Sequence, residues 1–420
     1  MTRFWHPVAD MHAVEASGEL VLDRAEGVHV WDEAGNRYLD ATAALWYCNV
    51  GYGRAEIADA AAAQLRRLSA YSHYGDVSSR PTTELAERIA AVAPMEDAAV
   101  FFTSGGGDSI ETAVKLVRRY WSLIGKDERT IVVSRERSYH GLSGYGTSIV
   151  GTEAFKVGVG PLAGGTLRVP WDDADALAAA IDEAGAERVA AFFCEPIVGA
   201  GGVLLPPPGY LEAVRRACRE REVLFVADEV ICGFGRVGDW FASSRLGLDP
   251  DVVTFAKGVT SGYLPLGGVI VGPRVREPFW SPGAGVWRHG YTYSGHATAT
   301  AAAHANLDVM EREALPERAL GLETRLADAL APLASHPLVS EVRSGLGVLG
   351  AVQLSPEAFA GDPLLQDRAV LAARRHGVLT RGLVGGALQV SPALVIDDAE
   401  LEELAAGLQD GLDDLARPPA

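Results

Sequence analysis

Val223-Leu-Phe-Val-Ala-Asp228 and Asp251-Val-Val-Thr-Phe-Ala-Lys257 are apolar runs that each end in an ionisable residue. Apolar residues follow one another in both runs instead of alternating with polar ones, which is typical of strands buried on both faces, as in a parallel sheet. Runs of the same kind occur earlier in the chain, at residues 98–102, 130–133 and 188–193. Together these runs predict a buried, mostly parallel sheet.

Stretches with a helical pattern lie between the apolar runs, for example at residues 110–124 and 174–184. Strands that alternate with helices indicate an α/β fold. The chain ends differ: residues 27–40 are typical of a hairpin, and a last helix at 398–415 precedes a frayed tail. We therefore expect a large domain over residues 51–305, and a smaller α+β domain built from residues 1–50 and 306–420.

Composition limits the class of protein. The chain has 420 residues, 48% of them apolar, and a formal net charge of -18. This acidity argues against nucleic acids and anionic membranes as partners, because those attract basic surfaces. Residues 1–20 contain no apolar signal-peptide core, and no uncharged apolar run is long enough to span a membrane. We therefore expect a cytoplasmic enzyme.

Two residue types narrow the possible chemistry. The cysteines form no CxxC pair, so that neither a metal site nor a disulfide framework is indicated. They are Cys48, Cys194, Cys218 and Cys232. Lysines are scarce, which leaves four candidates for any chemistry that needs an amine. They are Lys115, Lys126, Lys156 and Lys257.

Lys257 differs from the other lysines because it ends a buried run and precedes Gly258. Burial lowers the pKa of an amine and makes it a nucleophile toward carbonyls. A lysine that extends to the surface is the competing interpretation. Asp228 likewise ends a buried strand, at the sheet edge where α/β proteins bind ligands. Its carboxylate can pair with a protonated ring nitrogen or can cap the next helix.

A third feature is Phe101-Phe-Thr-Ser-Gly-Gly-Gly-Asp108, in which a strand runs into three glycines and then a helix. Backbone amides at a helix N-terminus can hold a phosphate, although a glycine-rich turn is often only a tight connection. After another strand, Ser138-Tyr-His-Gly141 carries an aromatic residue that can stack on a flat ring or belong to the core.

The order and spacing of these features resemble the fold-type-I pyridoxal-phosphate enzymes, and specifically the class III aminotransferases. The resemblance extends from Ala44-Leu-Trp-Tyr-Cys-Asn-Val-Gly-Tyr-Gly53 to Ser391-Pro392. Its most specific stretches are Asp228-Glu-Val-Ile-Cys-Gly-Phe-Gly-Arg236, Phe255-Ala-Lys-Gly258 with Gly262-Tyr-Leu-Pro-Leu-Gly267, and His289-Gly-Tyr-Thr-Tyr-Ser-Gly-His296.

The resemblance implies pyridoxal phosphate as cofactor, with Lys257 as the lysine that holds it and Asp228 as the partner of the ring nitrogen. Tyr139 and Val230 resemble the residues on the two faces of the ring.

The same resemblance implies that the backbone amides of Gly106 and Gly107 hold the phosphate. Many relatives have Ser at the position of Gly107, so that one hydroxyl contact is missing here. Thr292 resembles a threonine that reaches the phosphate bound by a neighbouring subunit. A homodimer, or a dimer of dimers, with shared active sites is therefore implied.

The resemblance also implies an amine or ω-amino acid donor and a keto acid acceptor. Trp46, Tyr139 and Arg381 are similar to substrate-pocket residues, although Arg381 could also be a surface residue after a short strand. Relatives that act on ornithine or γ-aminobutyrate with 2-oxoglutarate have Glu at the position of Ala200 and Gln at that of Ile231. These two departures resemble the amine:pyruvate and β-alanine:pyruvate subgroup, so we expect pyruvate as acceptor.

The sequence leaves three alternative functions open. Residues 233–238 match GxGxxG and would indicate an NAD-dependent oxidoreductase, but the motif should open a helix directly after a strand. Another pyridoxal-phosphate reaction, such as decarboxylation, aminomutation or epimerisation, would use the same cofactor residues. A non-catalytic binding protein is the third alternative, and the presence of Lys257 and Asp228 argues against it.

Overall fold

The computed structural model describes residues 2–416. The strands within this range are β1 (Leu22–Glu26), β2 (His29–Asp32), β3 (Arg37–Asp40), β4 (Ala99–Thr103), β5 (Ile131–Arg135), β6 (Thr166–Val169), β7 (Val189–Cys194), β8 (Leu224–Asp228), β9 (Val252–Phe255), β10 (Gly267–Val271), β11 (Val339–Arg343), β12 (Gly350–Leu354), β13 (Val378–Leu379), β14 (Gly382–Leu383) and β15 (Ala387–Val390).

The helices are α1 (Met11–Ser17), α2 (Ala43–Trp46), α3 (Ala55–Leu68), α4 (Arg80–Ala91), α5 (Gly106–Leu123), α6 (Gly144–Ile149), α7 (Ala174–Ala184), α8 (Tyr210–Glu220), α9 (Ala242–Leu246), α10 (Pro273–Trp280), α11 (Ala297–Arg312), α12 (Leu315–Leu330), α13 (Pro356–Gly361), α14 (Leu365–Arg375) and α15 (Asp398–Ala416). The tail expected after the last helix lies outside the described residues, apart from its first residue, Ala416. No helix within residues 2–416 is both long enough and apolar enough to cross a membrane.

The central sheet has seven strands in the order β4-β10-β9-β8-β7-β5-β6. Only β10 runs against its neighbours, β4 and β9, and the other pairs are parallel. Every residue of β7, β8, β9 and β10 is buried, which explains why their sequences are apolar apart from Asp228 and Thr254. The α/β fold with a mostly parallel central sheet is therefore confirmed.

The carboxyl ends of β4, β5, β7, β8 and β9 all meet at one edge of this sheet, because these strands run in the same direction. The strand β10 lies between β4 and β9, and Gly267 at its start has no room for a side chain. A Cβ there would lie 2.8 Å from the carbonyl carbon of Gly105. This close approach brings the loop after β4 next to the loop after β9.

Two smaller sheets are built from the chain ends. In one, β1, β2 and β3 form an antiparallel meander, and β13 joins it in parallel, with Val378 paired to Leu39. The other has the order β11-β12-β15-β14 and is antiparallel. Both chain ends thus contribute to one sheet. The domain bounds given above stay a prediction.

Candidate active site

A cavity of about 210 Å³ lies at the edge where the parallel strands end. Six residues expected to bind the cofactor line it: Gly106, Gly107, Tyr139, Asp228, Val230 and Lys257. Its other lining residues are Ile110, His140, Gly141, Glu195 and Ile231. The structure therefore brings together residues from five strand ends, and the two that are farthest apart in the sequence, Gly106 and Lys257, are separated by 151 positions.

Lys257 begins a short 3₁₀ turn just after β9. Its backbone has φ 48°, a left-handed conformation that only the surrounding structure can maintain in a residue other than glycine. Burial lowers the pKa of its amine to about 8, and the negative charges of Asp228 and Glu195 oppose this shift. Among residues 2–416, no hydrogen-bond partner is found for Nζ. The amine is therefore available and readily neutral, as a nucleophile must be.

Asp228, the last residue of β8, is 4% exposed. Its Oδ2 lies 2.6 Å from Nδ1 of His140, and its Oδ1 accepts hydrogen bonds from the Thr254 hydroxyl at 3.0 Å and the Val230 amide at 3.1 Å. These bonds fix the orientation of the carboxylate. They also satisfy it, so that a negative charge can persist in a buried place.

Two residues of this cluster were missed by the sequence reasoning. His140 lies in the stretch Ser138–Gly141, in which the sequence indicated a role for Tyr139 alone. Glu195 directly follows β7, so the criterion that selected Asp228, a carboxylate at the end of a buried strand, would also have found it. Its Oε1 accepts from the Tyr139 amide and its Oε2 from the Gly199 amide, both at 3.0 Å. Burial raises the pKa of Glu195. Glu195 thus holds the loop that carries Tyr139.

The N-terminus of α5 opens onto the cavity. The first amides of an α-helix have no carbonyl acceptor within the helix, and the preceding Gly105 offers no side-chain cap. A Cβ on Gly106 would lie 2.9 Å from Cγ1 of Val230, and one on Gly107 would lie 3.2 Å from Oγ of Ser143. Side chains at these positions would crowd Val230 and Ser143 beside the helix end. Without them, the N-terminal amides are left accessible to an anion.

An apolar wall next to the cavity contains the other pocket residues. Trp46, Ile231 and Leu383 are buried in one cluster, and Ala200 packs against it. The indole Nε1 of Trp46 donates to Oγ of Ser391 at 3.2 Å. Nζ of Lys257 lies 5.7 Å from the centre of the Trp46 ring. Trp46 and Ala200 therefore stand beside the cavity without being among the residues that line it.

Arg381 lies against this wall and not on the outer surface. Its guanidinium carbon is 4.6 Å from the centre of the Trp46 ring, and burial lowers its pKa. Within residues 2–416 it makes no ion pair with a carboxylate. An arginine that is partly buried without a counter-charge is suited to receive the carboxylate of a ligand.

Thr292 is exposed and lies in the loop between α10 and α11, away from the residues that line the cavity. Large apolar residues of the same loop are also exposed, with Val286 at 75% and Tyr293 at 63%. The fold therefore does not bring Thr292 into the cavity of its own chain.

The groups of the cavity fit pyridoxal phosphate. An available amine can bind its aldehyde carbon, a buried carboxylate can pair with its ring nitrogen, and a helix N-terminus with two glycines can hold its phosphate. The dinucleotide-binding alternative is wrong, since residues 233–238 form turns and the next helix begins only at Ala242. The described residues contain no cluster with the ligands of a metal ion.

Comparisons with known proteins agree with this chemistry. The family model described as Aminotransferase class-III matches residues 11–412. The putrescine–pyruvate aminotransferase of Pseudomonas aeruginosa is 38% identical over 98% of this chain and 94% of its own length.

Among solved structures, an (S)-enantioselective ω-transaminase from Thermomicrobium roseum has a TM-score of 0.92 and 39% identity, covering 98% of this chain and 96% of its own. An amine transaminase from an uncultivated Pseudomonas species, solved in its PLP-bound form, has a TM-score of 0.92 and 34% identity, covering 99% of both chains.

Proposed function

Because this chain belongs to the class III aminotransferases, which depend on pyridoxal phosphate, we propose that it transfers amino groups from amines or ω-amino acids to pyruvate. The observation that carries the choice of acceptor is Arg381, which lies over the ring of Trp46, in the cluster against which Ala200 packs, without a carboxylate partner in the described part of the chain. The name of the Pseudomonas aeruginosa relative, a putrescine–pyruvate aminotransferase, supports the same acceptor.

Different residues of the cavity would bind different parts of the cofactor. The amides at the N-terminus of α5, at Gly106 and Gly107, would hold its phosphate, and Tyr139 and Val230 would contact its ring. Asp228 would keep a proton on the ring nitrogen through its negative charge, and His140 holds that carboxylate in place at 2.6 Å. When bound, the cofactor supplies a conjugated ring that accepts electron density from the substrate carbon.

Lys257 has two tasks in this proposal. Its neutral amine would hold the cofactor covalently. Once an incoming amine has displaced it, Nζ would be the base that accepts the proton leaving the substrate carbon and the acid that later releases it. A pKa of about 8 suits this exchange, because a group with a pKa near the working pH can both accept and release a proton.

Arg381 selects between the two substrates that share one pocket. Its guanidinium can bind the carboxylate of the keto acid through two hydrogen bonds. When an amine with an apolar group takes that place, the charge must be neutralised or move toward solvent, because an unpaired buried charge is costly. Ala200 offers no carboxylate to neutralise it. Movement of Arg381 outward toward solvent is therefore the mechanism that we propose.

We infer that the working unit is at least a dimer in which Thr292 contributes to the site of its partner. The exposure of Thr292 and of the apolar residues around it in the isolated chain supports this inference. The cytoplasmic location expected from the sequence stays a prediction.

Separate half-reactions test the function. The pyridoxamine-loaded enzyme is mixed with pyruvate or with 2-oxoglutarate, and the pyridoxal-loaded enzyme with isopropylamine, an amine without a carboxylate. We expect faster turnover with pyruvate, and alanine as the product. In Arg381→Ala the KM for pyruvate should rise strongly while the isopropylamine half-reaction changes little. Faster turnover with 2-oxoglutarate would contradict the acceptor, and equal losses in both half-reactions would contradict the role of Arg381.

A further inference from the structure

Gln389 lies directly opposite Arg381 across a hairpin. The strands β14 and β15 pair antiparallel with Gly382 opposite Leu388, and the next pair outward is Arg381 with Gln389. The backbone amide of Gln389 donates to the backbone carbonyl of Arg381 at 3.0 Å. Side chains that are directly opposite in an antiparallel pair project to the same face, so the two side chains meet.

Gln389 is 0% exposed. The oxygen and the nitrogen of its side-chain amide each make a hydrogen bond. Its Oε1 accepts from Nε of Arg381 at 2.8 Å, and its Nε2 donates to the carbonyl of Thr42 at 3.2 Å. Arginine can only donate and a carbonyl can only accept. The atom next to Arg381 must therefore be the side-chain oxygen of Gln389, and the atom next to the Thr42 carbonyl must be its side-chain nitrogen. Gln389 thus connects Arg381 to the turn that leads to Trp46.

This connection determines which donors of Arg381 remain available. Nε is occupied by Gln389, and the guanidinium carbon lies over the ring of Trp46. The two Nη groups have no hydrogen-bond partner within residues 2–416, and they are the donors that can grip a carboxylate. Because the amide of Gln389 is neutral, it holds the guanidinium without cancelling its charge.

We propose that Gln389 is a positioning residue that holds Arg381 in the orientation that receives the carboxylate of the keto acid. The proposal rests on the role of Arg381 in the proposed function. In that role, a guanidinium already in place would lose less conformational freedom when the acceptor binds, which strengthens binding of the acceptor. An apolar amine requires Arg381 to move outward and release this hydrogen bond, so loss of Gln389 would weaken binding of the keto acid without slowing the half-reaction with the amine.

The test is Gln389→Met, which keeps the length and approximate volume of the side chain and removes the amide. The carbonyl of Thr42 still accepts from the amide of Trp46 at 2.9 Å, so that no buried acceptor is left without a partner. We expect the KM for pyruvate to rise about tenfold, the lower end of the effect of a hydrogen bond to a charged group. The maximal rate with pyruvate and the isopropylamine half-reaction should change by less than about threefold.

A double-mutant cycle separates this proposal from the proposed function. In the Arg381→Ala background, Gln389→Met should have no further effect on the KM for pyruvate, because its effect passes through Arg381. An unchanged KM in Gln389→Met, together with a raised KM in Arg381→Ala, would overturn the proposal and leave the proposed function standing. An unchanged KM in Arg381→Ala would overturn both. Equal losses in both half-reactions of Gln389→Met would show a general disturbance of the pocket and would also overturn the proposal.

A second variant covers the case in which Gln389→Met does not fold. Gln389→Glu keeps an oxygen acceptor next to Nε and adds a negative charge. This carboxylate should pair with Arg381 and compete with the substrate, so that the KM for pyruvate rises by at least about tenfold while the isopropylamine half-reaction is spared. A KM within about twofold of wild type in this variant would mean that Gln389 does not control Arg381.

Discussion

The pKa of Lys257 gives a testable prediction, because neighbouring charges should shift it both upward and downward. Burial lowers it from 10.5 to about 8. At pH 7, about one amine in ten is then neutral, compared with about three in ten thousand for an unshifted lysine. Since only the neutral amine attacks an aldehyde, the cavity should accelerate attachment of the cofactor at pH 7 by about 300-fold over an exposed lysine of equal reactivity.

Two substitutions should move this pKa in opposite directions. The negative charge of Asp228 favours the protonated amine and raises the pKa, whereas the positive charge of Arg381 lowers it. Asp228→Asn should therefore lower the pKa of Lys257 below about 8, and Arg381→Ala should raise it. The sum of the two effects should appear in the double variant, provided that the two side chains act independently.

The assay is the rate at which cofactor-free protein attaches pyridoxal phosphate covalently between pH 6 and pH 10. Borohydride reduction and peptide mass analysis identify the lysine, and Lys257→Ala is the control. In the wild type the rate should rise with pH, with a midpoint near pH 8, and level off about one pH unit above it. A midpoint near the ordinary 10.5, or a shift of both variants in the same direction, would refute the reasoning. Cofactor fixed on Lys115, Lys126 or Lys156 would refute the assignment of the lysine.

Three further predictions concern the other parts of the site. Asp228→Asn should retain the cofactor but slow proton removal from the substrate by at least about a hundredfold, because the ring nitrogen loses the charge that keeps it protonated; near-normal single-turnover rates would contradict this. Gly106→Ala should weaken cofactor binding by about tenfold or more, since its Cβ would lie 2.9 Å from a methyl of Val230, and equilibrium titration of the cofactor-free protein measures the loss. Sedimentation should show a dimer or larger assembly, and Thr292→Ala should weaken cofactor binding within it; a fully active monomer would exclude shared sites.

The apolar runs of the sequence correspond to five of the seven central strands, β4, β5, β7, β8 and β9, whereas β6 and β10 were not predicted. The run at residues 252–255 coincides with β9, and the helix predicted at 174–184 coincides with α7. The start of α5 was placed four residues too late, at 110 instead of Gly106. Glycine disfavours a helix interior, but the first turn tolerates it, and here the missing side chains leave the amides open.

The candidate site was predicted less completely than the fold. Residues at strand ends could be grouped, because parallel strands end at the same edge of a sheet. Gln389 could not be found in this way, since its role depends on the register of a two-residue strand, Gly382–Leu383, opposite β15. The contact of Arg381 with Trp46 joins positions 335 residues apart and depends on the same register. Apolar periodicity carries no information about either contact.

The pairing of β13 with β3 has a consequence for how the protein is made on the ribosome. Leu39 and Asp40 pair with Val378 and Leu379, and the amide of Ala41 donates to the carbonyl of Leu379 at 3.0 Å. At about 5 to 20 residues per second, the edge of β3 emerges tens of seconds before its partner strand is synthesised. The turn that carries Trp46 follows directly from this edge, so this part of the pocket is completed only after residues 378 and 379 have been synthesised. A nascent chain released before residue 378 would therefore contain Lys257 but lack the strand that anchors the turn with Trp46.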